Sequence, residues 1–443
     1  MKQNIKAMRS NSRAAISFIA VSLLLSGCSI FFEATTDTTG DKSQTSTQPA
    51  LKRSVMLAQS VTDEVLRDLL LSCEKTPSEK TVLSIAHRGA PLKYAEHTKE
   101  SYLAAAGMGA GMIECDATFT NDGELVCRHA QCDLHTTTNI IDTPLNQKCT
   151  VPWNEEFPNP GAVKCCTSDI SLTEFKSLRG KMDNQNPEAQ NRLEFMDGSR
   201  DWRKDIIAPT GTLLSHQESI ELFDRLDVKF IPELKAPDRR ARLQVEDVFG
   251  STQAYAQKLI DDYKAAGIRS TRVWPQSFQP ESVLYWLTAE PEFGRQAVML
   301  DGRSAKQINP QSPETASPTM NEMRALGVKV IASPLWMLLN VNDMGELEDS
   351  AYARSAKAAG LKIIAWSVER TDLSRGSRNS AGNPSWYYQF DKHPDHQIVR
   401  TEGDVYKVID VLAKRVGVIG IFSDWPETVS YYANCAGPNT LKQ

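Results

Sequence analysis

The strongest constraint on this chain is an alternation. Eight short apolar or β-branched runs recur between residues 82 and 426: "VLSIAH" at 82, "GMIECDAT" at 111, "VKFIPELK" at 228, "TRVWPQSF" at 271, "QAVMLD" at 296, "VKVIASP" at 328, "LKIIAWSVE" at 361 and "VIGIFSDWP" at 418. Amphipathic runs of helical period lie between most of them, among them "TKESYLAAAGMG", "TQAYAQKLIDDYKAAG" and "DSAYARSAKAAG". Several helical runs end in glycine, at Gly267, Gly327 and Gly360, as helix C-termini tend to. Eight β/α units point to an α/β fold of the TIM-type (β/α)8 barrel class. Periodicity alone leaves a doubly wound open sheet as the alternative. At 443 residues the chain fits one such barrel with insertions.

The alternation breaks between residues 131 and 227, where most of the cysteines, several prolines and few periodic runs fall. A structureless loop of that length does not suit a compact domain, so the stretch reads as a Cys-rich insertion after the second strand, on one rim of the barrel. A second irregular stretch, "SRGSRNSAGNPSWYYQFDKHPDHQI", follows the seventh strand. Ahead of the first strand, residues 59–73 read as one helix with Ser60 or Thr62 as its cap.

The N-terminus has a different character. Lys2, Lys6, Arg9 and Arg13 precede a short apolar run that ends in Leu25-Ser26-Gly27-Cys28. This is the layout of an export signal rather than a membrane span. Small residues before a cysteine resemble the lipobox of bacterial lipoproteins. That resemblance implies cleavage after residue 27, lipidation of Cys28, and a lipid-anchored protein of the bacterial periplasm or outer membrane, with Ser29 leaning towards the outer membrane. Residues 28–50 are Thr/Ser-rich and read as a flexible tether, followed by the barrel over 51–435 and a short tail at 436–443.

Nine cysteines less Cys28 leave eight, an even number that suits disulfides in an oxidising compartment. Five of them, Cys127, Cys132, Cys149, Cys165 and Cys166, cluster with spacings that match no strong zinc pattern. Cys115 lies inside a strand-like run and reads as a candidate free buried thiol; eight cysteines would in any case allow 105 pairings. The net charge of −5 and the absence of a dense Lys/Arg run argue against nucleic acid as a partner. Oligomeric state is not encoded in any pattern of this kind.

In such a barrel the C-terminal strand ends converge on one face, where active sites are built. Here the polar residues fall at those ends. The first strand delivers His87 and Arg88, and the second delivers Glu114 and Asp116. The third ends in Glu233-Leu234-Lys235, and "GELVCRHA" presents His129. A period of two puts Glu114 and Asp116 on the same side of the strand. Two neighbouring, partly buried carboxylates repel unless a proton or cation sits between them. Oxygen ligands suit Ca2+ or Mg2+, with Glu233 available to complete the shell; an exported protein meets more Ca2+, which favours it over Mg2+. Each pair alone is commonplace on a solvated strand. Their joint occurrence at successive strand ends is not.

Taken together, "HRGAP", "EHT", "IECD", "DGELV", "IPELK", "AWSVE" and "GVIGIFSDWP" resemble the glycerophosphodiester phosphodiesterase family over roughly residues 82–430. The resemblance implies metal-dependent hydrolysis of small glycerophosphodiesters to glycerol 3-phosphate and an alcohol. By it, His87 and His129 form the acid/base pair, Arg88 binds phosphate, and Glu114, Asp116 and Glu233 hold the metal. Lys235 becomes a phosphate or metal-shell partner, Glu96 lies near the metal or the glycerol hydroxyls, and Trp366 forms part of an apolar wall. Two departures stand out: Ala95 replaces the family's proline before Glu96, and Ala130 replaces an aspartate after His129. Two rival readings stay open. One is a barrel phospholipase of the C or D type acting on intact lipids, with Trp386, Tyr387, Tyr388 and Phe390 as an apolar rim; the other is a non-catalytic ligand-binding lipoprotein.

Overall fold

A computed structural model of the chain describes residues 52–75, 79–203, 205–235, 239–379, 381–393 and 396–436. The expected signal peptide, the tether, Cys28 and nearly all of the tail lie outside the described residues. The eight expected runs all form strands: β1 (Thr81–Ala86), β2 (Ala110–Ile113), β3 (Lys229–Phe230 continuing at Glu233–Leu234), β4 (Gln276–Ser277), β5 (Val298–Leu300), β6 (Val330–Pro334), β7 (Lys362–Val368) and β8 (Gly420–Ser423).

Their pairing is parallel and runs β3-β4-β5-β6-β7-β8-β1-β2-β3. β3 stands at both ends of that order. Its N–H groups at Ile231, Glu233 and Lys235 donate to the carbonyls of Ile113, Cys115 and Ala117 at 3.0–3.1 Å. On its other side, Trp274 and Gln276 donate to Phe230 and Pro232 at 2.8 Å. The barrel reading therefore prevails over the open sheet.

Two apolar layers follow from the strand period. Ile85, Met112, Ile231, Val298, Val330, Ile364 and Phe422 form a cluster inside the sheet, as a filled barrel interior requires. Residues of the opposite parity, such as Ala86, Ile113, Phe230, Ile331 and Ala365, pack outwards with the helices. Gly267, Gly327 and Gly360 end their helices at φ +68°, +95° and +74°, a conformation in which a side chain would be strained.

The segment before β1 differs from the single helix expected over 59–73. It forms two helices, Arg53–Gln59 and Glu64–Ser72, because the carboxylate of Asp63 caps the second by accepting from the Leu66 N–H at 2.9 Å. Ser60 instead ends the first helix, and the Thr62 hydroxyl donates to buried Asp404. Both helices lie against the end of the chain: Tyr431 donates to the Leu70 carbonyl at 2.6 Å, and a disulfide joins Cys73 to Cys435.

All eight described cysteines are paired. Cys132–Cys166 and Cys149–Cys165 staple the expected insertion, which carries a small core of its own around Leu134, Ile141, Trp153, Phe175 and Phe195. The last part of the stretch, helix His216–Arg225, packs its Ile220, Leu222 and Phe223 into the main core and belongs with the barrel helices. Cys115 is bonded to Cys127, which corrects its reading as a free thiol. Asp116–Phe119 pairs antiparallel with Leu125–Cys127, and the parity that turns Glu114 and Asp116 inwards turns Cys115 outwards beside Cys127.

Replacing both Cys73 and Cys435 by serine is expected to lower stability by about 2–4 kcal/mol. Urea unfolding of the two forms checks this; turnover of the folded protein is expected to survive.

Candidate active site

The period of two that fills the barrel also builds the site. Two residues beyond Ile85, on the same face, stands His87; beyond Met112 come Glu114 and Asp116; beyond Ile231 come Glu233 and Lys235; beyond Ile364 comes Trp366; beyond Phe422 comes Asp424. A cleft enclosing about 430 Å³, part of it open to solvent, is lined by His87, Arg88, Glu114, His129, Glu233, Lys235, Phe278, Leu300, Trp366, Tyr387 and Phe422. A larger groove of about 1030 Å³, bordered by Asp63, His396, Lys407 and Lys414, lies away from these groups and holds none of the catalytic pattern.

His87 Nδ1 lies 2.6 Å from Asp424 Oδ1. An ionised carboxylate only accepts, so this bond assigns the proton to Nδ1 and leaves Nε2 as an acceptor. Burial lowers the His87 pKa, against the pull of Asp424, which favours the neutral ring. Burial opposes ionisation of Asp424, yet Arg370 and His87 hold it below the usual range. His129 faces the same cleft with no hydrogen-bond partner among the described residues. Burial, followed by the charges of Arg88 and Lys235, pushes its pKa well below the usual value. Next to His129, the Ala130 N–H donates to buried Asp133 at 2.9 Å, and burial raises that acid to about 6.

Arg88 adopts φ +58°, a left-handed conformation strained for a residue with a Cβ, and the turn is completed by Gly89 at φ +96°. A Cβ on Gly89 would stand 2.3 Å from Ser101 Oγ, so only glycine fits. This turn aims the Arg88 N–H at Glu114 Oε2 (3.0 Å) and its guanidinium at Glu96 Oε2 (2.9 Å). Glu96 thus sits behind Arg88 rather than among the cleft-lining carboxylates.

Glu114, Asp116 and Glu233 are buried and bring carboxylate oxygens within 4.8 Å of one another. Gln276 donates to Glu114 Oε1 at 2.9 Å, and His97 Nε2 meets Asp116 Oδ2 at 2.8 Å. Lys235 Nζ lies 2.7 Å from Glu233 Oε1 and 4.0 Å from Asp116 Oδ1. Asp116 Oδ1 is buried and accepts no hydrogen bond. Three converging hard oxygen donors, one of them otherwise unmatched, fit a divalent cation. Burial, with Asp116 and Glu233 beside it, raises Glu114 well above the carboxylate range, and burial raises Glu233 to about 7. Burial opposes ionisation of Asp116 too, but Lys235 and His97 hold it below its usual value.

The opposite wall is aromatic. Trp366 stacks on Trp386 at 5.7 Å and meets Phe278 edge-on at 5.9 Å, with Tyr387 edge-on to both tryptophans. Tyr388 and Phe390, expected on the same rim, are buried instead. They are held in place by Asp391, which accepts from Ser377 Oγ and from the N–H groups of Ile398 and Val399.

The family model described as the glycerophosphoryl diester phosphodiesterase family matches residues 87–428, most of the chain. The chain belongs to this family. It is a phosphodiesterase of the class that hydrolyses glycerophosphodiesters. A protein of Arthroderma benhamiae named "Extracellular protein" is 39% identical over 255 residues, 57% of this chain and 99% of that one. The glycerophosphodiester phosphodiesterase GDPD6 of Arabidopsis thaliana is 25% identical over 213 residues, 46% of this chain and 51% of that protein. A crystal structure from Silicibacter pomeroyi, assigned to the same enzyme class, superposes with a TM-score of 0.51 at 15% identity, covering 80% of this chain and 94% of that one, a likeness of fold. The four disulfides agree with maturation in an oxidising, exported environment.

Of the site residues expected within the described chain, His87, Arg88, Glu114, His129, Glu233, Lys235 and Trp366 line the cleft, Asp116 is buried beside Glu114 and Glu233, and Glu96 stands behind Arg88. Asp424, Arg370, His97, Gln276 and Asp133 join the site without belonging to the expected pattern. Asp424 carried a signal, standing two residues after the inward Phe422 in "IFSDWP". Gln276 was a polar residue inside an apolar strand.

Because burial raises Glu233 to about 7, binding of a divalent cation is expected to release its proton and to tighten as pH rises from 6 to 8. Calorimetric titration in buffers of different ionisation enthalpy reads both effects.

Proposed function

We propose that this phosphodiesterase cleaves small glycerophosphodiesters to glycerol 3-phosphate and an alcohol, with His87 and His129 as the acid/base pair. The observation that carries the reading is the meeting, in one cleft, of a carboxylate-oriented imidazole, a second imidazole, two cations and three metal-competent carboxylates. Glu114, Asp116 and Glu233 would hold the cation, Ca2+ in preference to Mg2+. When bound, it supplies Lewis-acid stabilisation of charge on the phosphoryl oxygens.

The side chains do the rest. Arg88 and Lys235 draw the phosphodiester anion into the cleft and share its charge. Glu96 keeps the Arg88 fork turned to one geometry. His87 Nε2 accepts the proton of the attacking hydroxyl while Nδ1–H stays on Asp424. His129, which takes up a proton once the phosphodiester anion offsets the charges of Arg88 and Lys235, returns it to the departing alkoxide, so the step is proton-neutral overall. The Trp366 wall covers the carbon skeleton and keeps water off that side. The attacking hydroxyl is water or the substrate's own glycerol 2-hydroxyl, the latter giving a cyclic phosphate that water then opens.

The leader, Cys28 and the disulfides support an exported protein anchored through a lipid on Cys28, in the periplasm or outer membrane of a bacterium. A second reading, hydrolysis of intact phospholipids, draws on the exposed aromatic edge of the cleft, where Trp386 is 51% and Phe278 38% exposed. Glycerol 3-phosphate release, followed with a coupled dehydrogenase, tests the first reading. Glycerophosphocholine is expected to be cleaved and phosphatidylcholine vesicles to be left intact; the reverse preference would support the lipid reading.

His87→Ala is expected to lower kcat by roughly 10²–10⁴-fold while calorimetric cation binding persists. Retained turnover would remove His87 from the acid/base role. A substrate lacking the glycerol 2-hydroxyl separates the two attacking hydroxyls: turnover at an undiminished rate excludes the cyclic route.

A further inference from the structure

Arg370 stands two residues beyond the end of β7 and does not line the cleft. Its side chain is only 11% exposed, and its guanidinium meets three carboxylates from separate parts of the chain. Nη1 donates to Asp424 Oδ2 at 3.0 Å; Nη2 lies 3.3 Å from Asp183 Oδ2 and 3.5 Å from Glu96 Oε2. Each of these acids has a second partner. Asp424 holds His87, Glu96 holds Arg88, and Asp183 is gripped by Arg203, whose side chain is 1% exposed.

Asp183 and Arg203 belong to the Cys-rich stretch between 131 and 227. The contacts therefore form one line, Arg203–Asp183–Arg370–Asp424–His87, from the insertion to the imidazole. A branch runs from Arg370 through Glu96 to the phosphate-facing Arg88. A planar guanidinium can bridge carboxylates in fixed directions; a lysine ammonium cannot. Without Arg370, Asp424 would keep one side-chain hydrogen bond, to His87, and could turn with the ring.

We propose that Arg370 is a positioning residue for His87, acting through Asp424, and that Asp183 and Arg203 of the insertion hold Arg370 in place. The insertion is then part of the support of the catalytic imidazole. The proposal rests on the reading of His87 as an acid/base group.

A double-mutant cycle on the full-length protein tests it, with kcat and KM measured on glycerophosphocholine for wild type, Arg370→Met, Asp424→Asn and the double variant. Loss of a residue that orients a catalytic group typically costs roughly 10–100-fold in activity, so that drop in kcat is expected for Arg370→Met, with KM within about twofold. In the Asp424→Asn background the same change is expected to cost less than about twofold. Arg370→Lys is expected to recover only a minor part. Asp183→Asn is expected to lower kcat in the wild-type background and to add little to Arg370→Met. An undiminished cost of Arg370→Met beside Asp424→Asn would overturn the proposal, as would a raised KM at constant kcat, which would put the effect of Arg370 on substrate binding, directly or through Glu96 and Arg88, rather than on His87. If Arg370→Met does not fold, the cycle is run with Arg370→Lys and Asp183→Asn, and additivity there overturns it equally. Wild-type turnover in both His87→Ala and Asp424→Asn would instead sink the reading of His87, and the proposal with it.

Discussion

The barrel mouth is organised by the need to bury three carboxylates side by side. Glu114, Asp116 and Glu233 bring oxygens within 4.8 Å of one another in a place screened from water. An uncompensated buried charge costs several kcal/mol, on the order of 3–5 when one partner of a buried pair is lost. The surrounding residues meet that cost in a definite pattern. Lys235 stands against Glu233 and Asp116, His97 against Asp116, and Gln276 and the Arg88 backbone against Glu114. To reach their posts, Arg88 and His97 hold positive φ, +58° and +52°, a strain of about 1–3 kcal/mol each. Strain and charge burial coincide at the mouth of the barrel.

How much of this was legible depended on whether a signal was local. His87, Glu114, Asp116, Glu233 and Lys235 were readable because each follows an apolar strand at a period of two, and the alternation of strands and helices placed all eight ends on one face. Asp424 obeys the same rule, but its role is not local, since its partner His87 lies 337 positions away in the sequence. Arg370 and Asp183 were illegible for a stronger reason. They lie in irregular segments, where no period predicts direction, and meet across 187 positions. Glu96 was expected beside the metal or the glycerol; nothing in "EHT" reveals that two arginines would claim its carboxylate. The segment ahead of the barrel departs from the single helix expected because Ser60, Thr62 and Asp63 are all competent caps, and only the docking of Thr62 on Asp404 decides among them.

The cysteines show the same division. Their even number pointed to disulfides, but connectivity depended on which strands pair. Once Asp116–Phe119 and Leu125–Cys127 form a hairpin, Cys115 and Cys127 become neighbours on its outer face. The bond ties the strand that bears Glu114 and Asp116 to the strand that leads into His129. The staples of the insertion act at longer range, since they order the stretch from which Asp183 and Arg203 reach the site.

The Cys73–Cys435 bond has a topological consequence. With a sequence separation of 362, it turns nearly the whole described chain into a covalent ring. A protease that cuts one exposed loop, such as that around Met344, opens the ring into a single longer thread and releases no fragment. The strands on either side of the nick stay tethered at effectively high local concentration. For a protein that matures outside the reducing cytosol, where proteases are part of the surroundings, this makes a single cleavage an event the fold can outlast.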